Sequence, residues 1–102
     1  MINVALFGFG RIGQMHAENL TKNKEIKLLY VYDKIDQLSN KAKKLYGCKI
    51  QKNYNKIFND KKVDIVFISS PTNTHFRFIE EGMRRKKTIF CEKPLDLDIN
   101  KI

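Results

Sequence analysis

No stretch of the 102 residues is long and apolar enough to suggest a membrane span. The clean apolar run Ile65 to Ile68 falls far short of the ~20 residues a spanning helix needs. A secretory leader is missing too: Val4 to Phe7 is apolar, but no basic region precedes it and Gly8 to Gly13 interrupts it too early. Cysteine is scarce. Cys48 and Cys91 form no CxxC or metal-ligand spacing, so reduced, partly buried thiols are expected, with a disulfide or zinc role left open. Proline is limited to two residues, and no Pro/Ser-rich linker, repeat or low-complexity segment divides the chain. These absences predict one cytoplasmic domain with no membrane partner.

Acidic residues are also short, 11 against 20 Lys and Arg, for a net charge of +9. Such an excess would suit neutralisation of nucleic-acid phosphates. Its distribution argues otherwise. Lys41, Lys43 and Lys44, then Lys61 and Lys62, then Arg84 to Lys87 fall at helix ends or connecting loops. There each complements a negative helix C-terminus by roughly 0.3 to 1 kcal/mol. No aromatic residues interleave with them as stacking platforms, so a solvated surface is expected and no nucleic-acid partner.

What is present describes an ordinary small globular chain, 42% hydrophobic and 30% charged. A chain of this size buries roughly 60 to 70% of its unfolded surface, enough for a thin core. Ile2 to Phe7 reads as a strand. From Arg11 the pattern turns helical, with Ile12, Met15, Ala17 and Leu20 near helical spacing until the polar stretch Thr21 to Lys24. Ile26 to Tyr32, broken only by Lys27, has the continuous apolar character of a strand buried on both faces. A second helix follows, with Asp36 as N-cap, Leu38, Ala42, Leu45 and Tyr46 on its apolar face, and Gly47 as its left-handed stop.

Cys48 to Gln51 reads as a short edge strand, followed by a helical turn or two in which Tyr54, Ile57 and Phe58 share a face. Val63 to Ser69 is a further buried strand, broken by Ser70 to Asn73. Asn73 or Thr74 would cap a helix whose inner face carries Phe76, Ile79 and Met83, and Thr88 to Cys91 is the last strand. Strands alternating with amphipathic helices predict parallel pairing with right-handed crossovers, hence a doubly wound α/β sheet of the Rossmann type. Ligands of such sheets bind beyond the carboxyl ends of the strands, where the strand order reverses.

Gly8-Phe9-Gly10-Arg11-Ile12-Gly13 is a GxGxxG after a strand and opening a helix. Gly8 permits the tight turn, Gly10 lets a pyrophosphate approach the backbone, and Gly13 lets the helix pack closely on the strand. The free N–H groups and partial positive charge of the helix start then favour phosphate. Asp33 lies 20 residues beyond Gly13, at the end of the second strand. A carboxylate there accepts hydrogen bonds from the adenosine ribose and repels a 2′-phosphate, favouring NAD. Lys34 could offset that repulsion, so NADP stays open.

Together, Gly8 to His16 (GFGRIGQMH), Ser69 to His75 (SSPTNTH) and Cys91 to Leu95 (CEKPL) resemble the glucose–fructose oxidoreductase and inositol 2-dehydrogenase family, Gfo/Idh/MocA. The similarity spans the chain and covers about the first third of a typical member. Its most specific element is Glu92-Lys93-Pro94 directly after a strand. The resemblance implies the NAD(P)-binding part of an oxidoreductase moving hydride between a sugar or inositol-like polyol and a nicotinamide cofactor. It places Gly8, Phe9, Gly10, Arg11, Ile12, Gly13, Asp33 and Lys34 on the dinucleotide. Ser70, Pro71, Thr72, Asn73 and His75 would then lie beside the nicotinamide end, with Glu92 near its ribose and Pro94 in the same loop.

Lys93 would be the active-site lysine. An ammonium near the reacting hydroxyl stabilises alkoxide character as hydride leaves and assists proton relay, and partial burial could lower its pKa. Read locally, Lys93 is also compatible with a solvated loop position, His75 with a cap or packing role, and His16 with packing. No metal is expected.

Family members carry a second, mostly antiparallel domain supplying the substrate pocket, the main oligomer interface and a catalytic Asp-and-His pair. Neither His16 nor His75 matches that pair. The expectation is therefore a dinucleotide-binding domain over residues 1–102 without the substrate domain, from a full-length form that is a homo-oligomer. Alone it would bind NAD weakly, turn nothing over, and expose apolar surface near Cys91 that invites association. The alternative is a non-catalytic nucleotide-binding or interaction module, which would have no need of the lysine in Glu92-Lys93-Pro94.

Overall fold

A computed structural model describes residues 1–69 and 75–91, with residues 75, 76 and 91 described through their backbone alone. The elements run β1 (Ile2–Phe7), α1 (Arg11–Thr21), β2 (Ile26–Tyr32), α2 (Asp36–Tyr46), β3 (Lys49–Ile50), α3 (Tyr54–Asn59), β4 (Ile65–Ile68), α4 (His75–Arg84) and β5 (Thr88–Cys91). All strand pairs are parallel, in the order β3-β2-β1-β4-β5. The order reverses at β1, which has β2 on one side and β4 on the other, and in sheets of this kind ligands bind beyond the carboxyl ends of the strands at such a reversal. This is the doubly wound sheet that the alternation of strands and helices predicts.

Two apolar layers flank the sheet. Ala17 of α1 and Ala42 of α2 join Leu6, Phe9, Leu28, Val31 and Cys48 on one face. Ile57 and Phe58 of α3 and Phe78 of α4 join Ala5, Phe7, Tyr32, Val66 and Ile68 on the other. The second layer is an aromatic cluster in which the Phe7 ring lies 5.1 Å from Tyr32, 5.3 Å from Phe58 and 4.7 Å from Phe78. Burial of β2 on both faces beyond Lys27 is as its apolar run predicts. Its register against β1 shifts between Val4 and Ala5, so that Leu29 and Tyr30 turn to the same layer, an irregularity that a continuous apolar run conceals.

Several sequence expectations are corrected. Leu45 is 57% exposed, Met15 49% and Met83 70%, although helical periodicity places each on an inner face. Ala17 and Ala42 are buried as expected; the other buried positions among the described side chains of these three helices are Gly13, Ser39, Phe78 and Gly82, and the expected inner position of Phe76 lies outside them. A Cβ on Gly82 would stand 2.1 Å from Ile89 of β5. The helices thus lie so close to the sheet that small residues occupy the contact line and larger ones flank it. Asp36 is the first helical residue of α2, not its cap; Ile35 holds that position, and Gly47 closes the helix at φ +69° as predicted. The strand expected over Val63 to Ser69 is confined to Ile65–Ile68, and the edge strand expected over Cys48 to Gln51 to Lys49–Ile50. The capping role of Asn73 or Thr74 lies outside the described residues.

Cys48 is a buried free thiol, and burial pushes its pKa up, away from reactivity. Among the described residues no helix is long and apolar enough to cross a membrane. The basic clusters have local partners: Arg84 and Arg85 both pair with Glu81, and Lys43 and Lys44 lie in the last turn of α2.

The amino ends of β4 and β5 are tied by a polar knot around Asp60. Tyr30 Oη donates to Asp60 Oδ2 at 2.7 Å, and Lys87 Nζ donates to the carbonyls of Asp60 (2.6 Å) and Val63 (2.7 Å). The Tyr30 hydroxyl, joined by the Lys62 amide, holds the Asp60 carboxyl below its ordinary 3.8. Because the folded pKa is depressed, this contribution is present above pH 3.8 and is lost as pH falls through the lower folded value. The same bond raises the Tyr30 phenol above its ordinary 10.0, so nothing is lost until more alkaline pH. Tyr30→Phe is therefore expected to cost about 1 kcal/mol, evenly between pH 5 and 9. Urea titrations between pH 9 and pH 2 should show the gap from the unaltered chain closing only below pH 3.8. A gap that persists unchanged at pH 2 would contradict this.

Candidate functional site

The turn after β1 carries the sequence motif to the carboxyl end of that strand, at the reversal of strand order. Gly8 has φ +103°, which a side chain would strain, and its N–H donates to the Tyr32 carbonyl at 2.8 Å. A Cβ on Gly13 would stand 2.0 Å from the Gly8 carbonyl oxygen and 3.0 Å from Ser69 Oγ, so only glycine lets α1 approach β1 this closely. Gly10 differs from both. Its φ of −71° is open to any residue, and a Cβ there would meet nothing within 4 Å among the described residues. Gly10 faces solvent at the start of α1, where it has no side chain to cap the helix.

Phe9 anchors this turn. Its ring is fully buried and meets Tyr46 edge-on at 6.3 Å. Its N–H donates to Asp33 Oδ2 at 2.8 Å, and its carbonyl accepts from Gln14 Nε2 at 3.2 Å. Asp33 Oδ1 accepts from the Ile35 N–H at 2.8 Å, so the carboxylate bridges the end of β2 and the glycine turn. Each of its oxygens retains a further lone pair for a ligand hydroxyl. What Phe9 can offer a ligand is neither its ring nor its N–H, since both are engaged within the fold. Ser69, at the end of β4, closes the other side: its Oγ donates to the carbonyls of Gly8 (3.0 Å) and Phe7 (3.3 Å).

The first helical hydrogen bond of α1 runs from the Gln14 N–H to the Gly10 carbonyl. Among the described residues no acceptor meets the N–H groups of Gly10, Arg11, Ile12 and Gly13. They form a row of donors at a positive helix end beside open space, with the half-buried Asp33 next to it. The arrangement of donors and carboxylate suits a diphosphate joined to a sugar bearing hydroxyls.

The structure therefore brings together Gly8, Phe9, Gly10, Arg11, Ile12, Gly13 and Asp33, with Lys34 exposed beside them. His75 begins α4, and His16 is half-buried with its ring 4.6 Å from that of Phe67. Ser70, Pro71, Thr72, Asn73, Glu92, Lys93 and Pro94 lie outside the described residues. Sequence reasoning missed Gln14 and Ser69. Their signals were faint: a polar residue in the first turn of an otherwise packing helix, and a serine closing an apolar strand.

Residues 2–102 match the family described as oxidoreductase family, NAD-binding Rossmann fold (GFO_IDH_MocA). The inositol 2-dehydrogenase of Rhizobium meliloti is 36% identical over 101 residues, covering 99% of this chain and 30% of its own length. The myo-inositol 2-dehydrogenase of Thermotoga maritima is 37% identical over 100 residues, covering 96% of this chain and 30% of its own. Among solved structures, a myo-inositol dehydrogenase from Corynebacterium glutamicum superposes with a TM-score of 0.86 at 33% identity, over 98% of this chain and 30% of that one. The chain thus spans about 30% of the length of the curated relatives it matches.

Proposed function

Since the chain belongs to this oxidoreductase family with an NAD-binding Rossmann fold, we propose that residues 1–102 form the dinucleotide-binding domain of an NAD-dependent dehydrogenase of an inositol-like polyol. The observation that carries the cofactor site is Gly10. Neither its backbone angle nor any neighbour among the described residues requires glycine. A group docking from outside does: the diphosphate of the cofactor on the amides of Gly10 to Gly13. Asp33 accepts the adenosine ribose hydroxyls through its remaining lone pairs and disfavours a 2′-phosphate, so NAD is preferred to NADP.

Bound NAD supplies the hydride acceptor. Lys93 would hold an ammonium near the reacting hydroxyl, where it stabilises negative charge developing on that oxygen, while the hydroxyl proton goes to a base that residues 1–102 do not supply. Ser70, Pro71, Thr72, Asn73 and His75 border the nicotinamide end, and Glu92 and Pro94 flank Lys93. The inositol-like substrate is inferred from the relatives' names. The residues that select it, and the main contacts between subunits of a homo-oligomer, belong to sequence outside these 102 residues.

Calorimetric titration with NAD, NADP and S-adenosylmethionine tests the cofactor assignment. NAD is expected to bind weakly but saturably and ahead of the other two, and S-adenosylmethionine binding as well as or better than NAD would overturn it. Incubation of this chain with NAD and myo-inositol is expected to give no absorbance of reduced cofactor. Robust turnover would contradict the assignment of substrate selection to sequence outside it.

A further inference from the structure

We propose that Gln14 is a positioning residue for the cofactor diphosphate, holding the Phe9–Gly10 peptide so that the Gly10 N–H faces outward, and that Lys41 orients the Gln14 amide. This rests on the cofactor site proposed above and adds to it a control on the direction of one amide. Peptide bonds are planar, and none among the described residues is cis. In a trans peptide the carbonyl and the following N–H point in opposite directions. The Phe9 carbonyl accepts from Gln14 Nε2 at 3.2 Å, on the α1 side of the turn. The Gly10 N–H is thereby directed away from the Gln14 amide, and no acceptor among the described residues meets it. A flip of this peptide would present a carbonyl oxygen to the phosphate in place of a donor. Phe9 itself cannot follow such a flip, because its ring is buried and its own N–H is held by Asp33.

A glutamine can do this only if its amide nitrogen faces the carbonyl. Lys41 of α2 fixes that choice: its Nζ lies 3.0 Å from Gln14 Oε1, and an ammonium can only donate. The oxygen of Gln14 must face Lys41, which leaves the nitrogen facing Phe9. Lys41 is exposed and Gln14 half-buried, so neither is needed to fill the core.

Titration of the 102-residue chain with NAD, ADP and adenosine, alongside thermal melts, tests this in Gln14→Leu, Gln14→Glu and Lys41→Met. Gln14→Leu is expected to weaken NAD and ADP by about tenfold, the scale of one hydrogen bond, while leaving adenosine, which lacks the diphosphate, unchanged. Gln14→Glu keeps an acceptor for Lys41 but sets a carboxylate against the Phe9 carbonyl, so its loss should be at least as large. Lys41→Met should cost less, about threefold, and add nothing in the Gln14→Leu background, because both act through one bond. An unchanged NAD dissociation constant in Gln14→Leu, or equal losses for NAD and adenosine, overturns the inference. Should Gln14→Leu fail to fold, the exposed Lys41→Met carries the same comparison. Failure of the unaltered chain to bind NAD would instead overturn the cofactor site itself.

Discussion

Gly13→Ala is expected to lower the stability of the domain by about 3 kcal/mol or more, at or beyond the upper end of overpacking effects. The added methyl would stand 2.0 Å from the Gly8 carbonyl oxygen and 2.8 Å from its carbon. Backbone cannot rotate aside as a side-chain tip can. Relief requires α1 to lift from the sheet, which loosens Ala17 from its layer, or Gly8 to leave its position, which breaks its bonds to Tyr32 and Ser69. For a chain of this size, 3 kcal/mol corresponds to a fall of roughly 12 °C or more in melting temperature. Circular dichroism melts measure it directly. A variant melting within about 2 °C of the unaltered chain would mean that α1 does not approach β1 as closely as described, since even 1 kcal/mol moves the midpoint further.

Gly10→Ala is expected to do the reverse, sparing the fold while removing the ligand. The backbone there suits alanine, and the new methyl meets nothing within 4 Å among the described residues. Two small effects oppose each other: alanine reduces the freedom of the unfolded chain by about 0.4 to 1 kcal/mol, and it is a poorer N-cap than glycine by a similar amount. Stability should stay within about 1 kcal/mol. In the proposed complex, however, the methyl holds the diphosphate off the amides of Gly10 and its successors. A hydrogen bond to a charged group contributes about 1.5 to 3 kcal/mol, so NAD affinity should fall at least about tenfold. Calorimetry and melts on the same sample read both quantities. Unaltered NAD binding in a well-folded Gly10→Ala would remove the reason offered for glycine at this position.

The contrast between these two glycines shows what was legible beforehand. The GxGxxG spacing and Asp33 marked the site, and apolar runs located β1 and β2 to the residue. The inner faces of the helices were less legible. Periodicity marks Ala17 and Ala42, which are buried, but marks Met15, Leu45 and Met83 with them, which are exposed, and it passes over Gly13 and Gly82, where an added Cβ would clash. Small residues carry little hydrophobic signal, yet they set how near a helix can lie. The shift in register within β2 was hidden for a related reason, because a strand buried on both faces has no alternation to break.

The polar frame of the site was the hardest part to foresee. Asp33 was expected to face a ribose, but the structure also gives it the N–H groups of Phe9 and Ile35. Gln14 and Ser69 each bond to a backbone carbonyl distant or oblique in sequence, a relation with no periodic signature. Lys86 ends α4 at φ +60° where a glycine would have announced the stop.

Nitrogen-15 NMR of the chain during titration with NAD tests most directly where the cofactor lies. The largest saturable shifts should fall on the amides of Gly10, Arg11, Ile12 and Gly13, with smaller ones at Asp33 and Lys34. Saturable shifts centred elsewhere, for example on α4, or none at all, would contradict a diphosphate held by the first turn of α1.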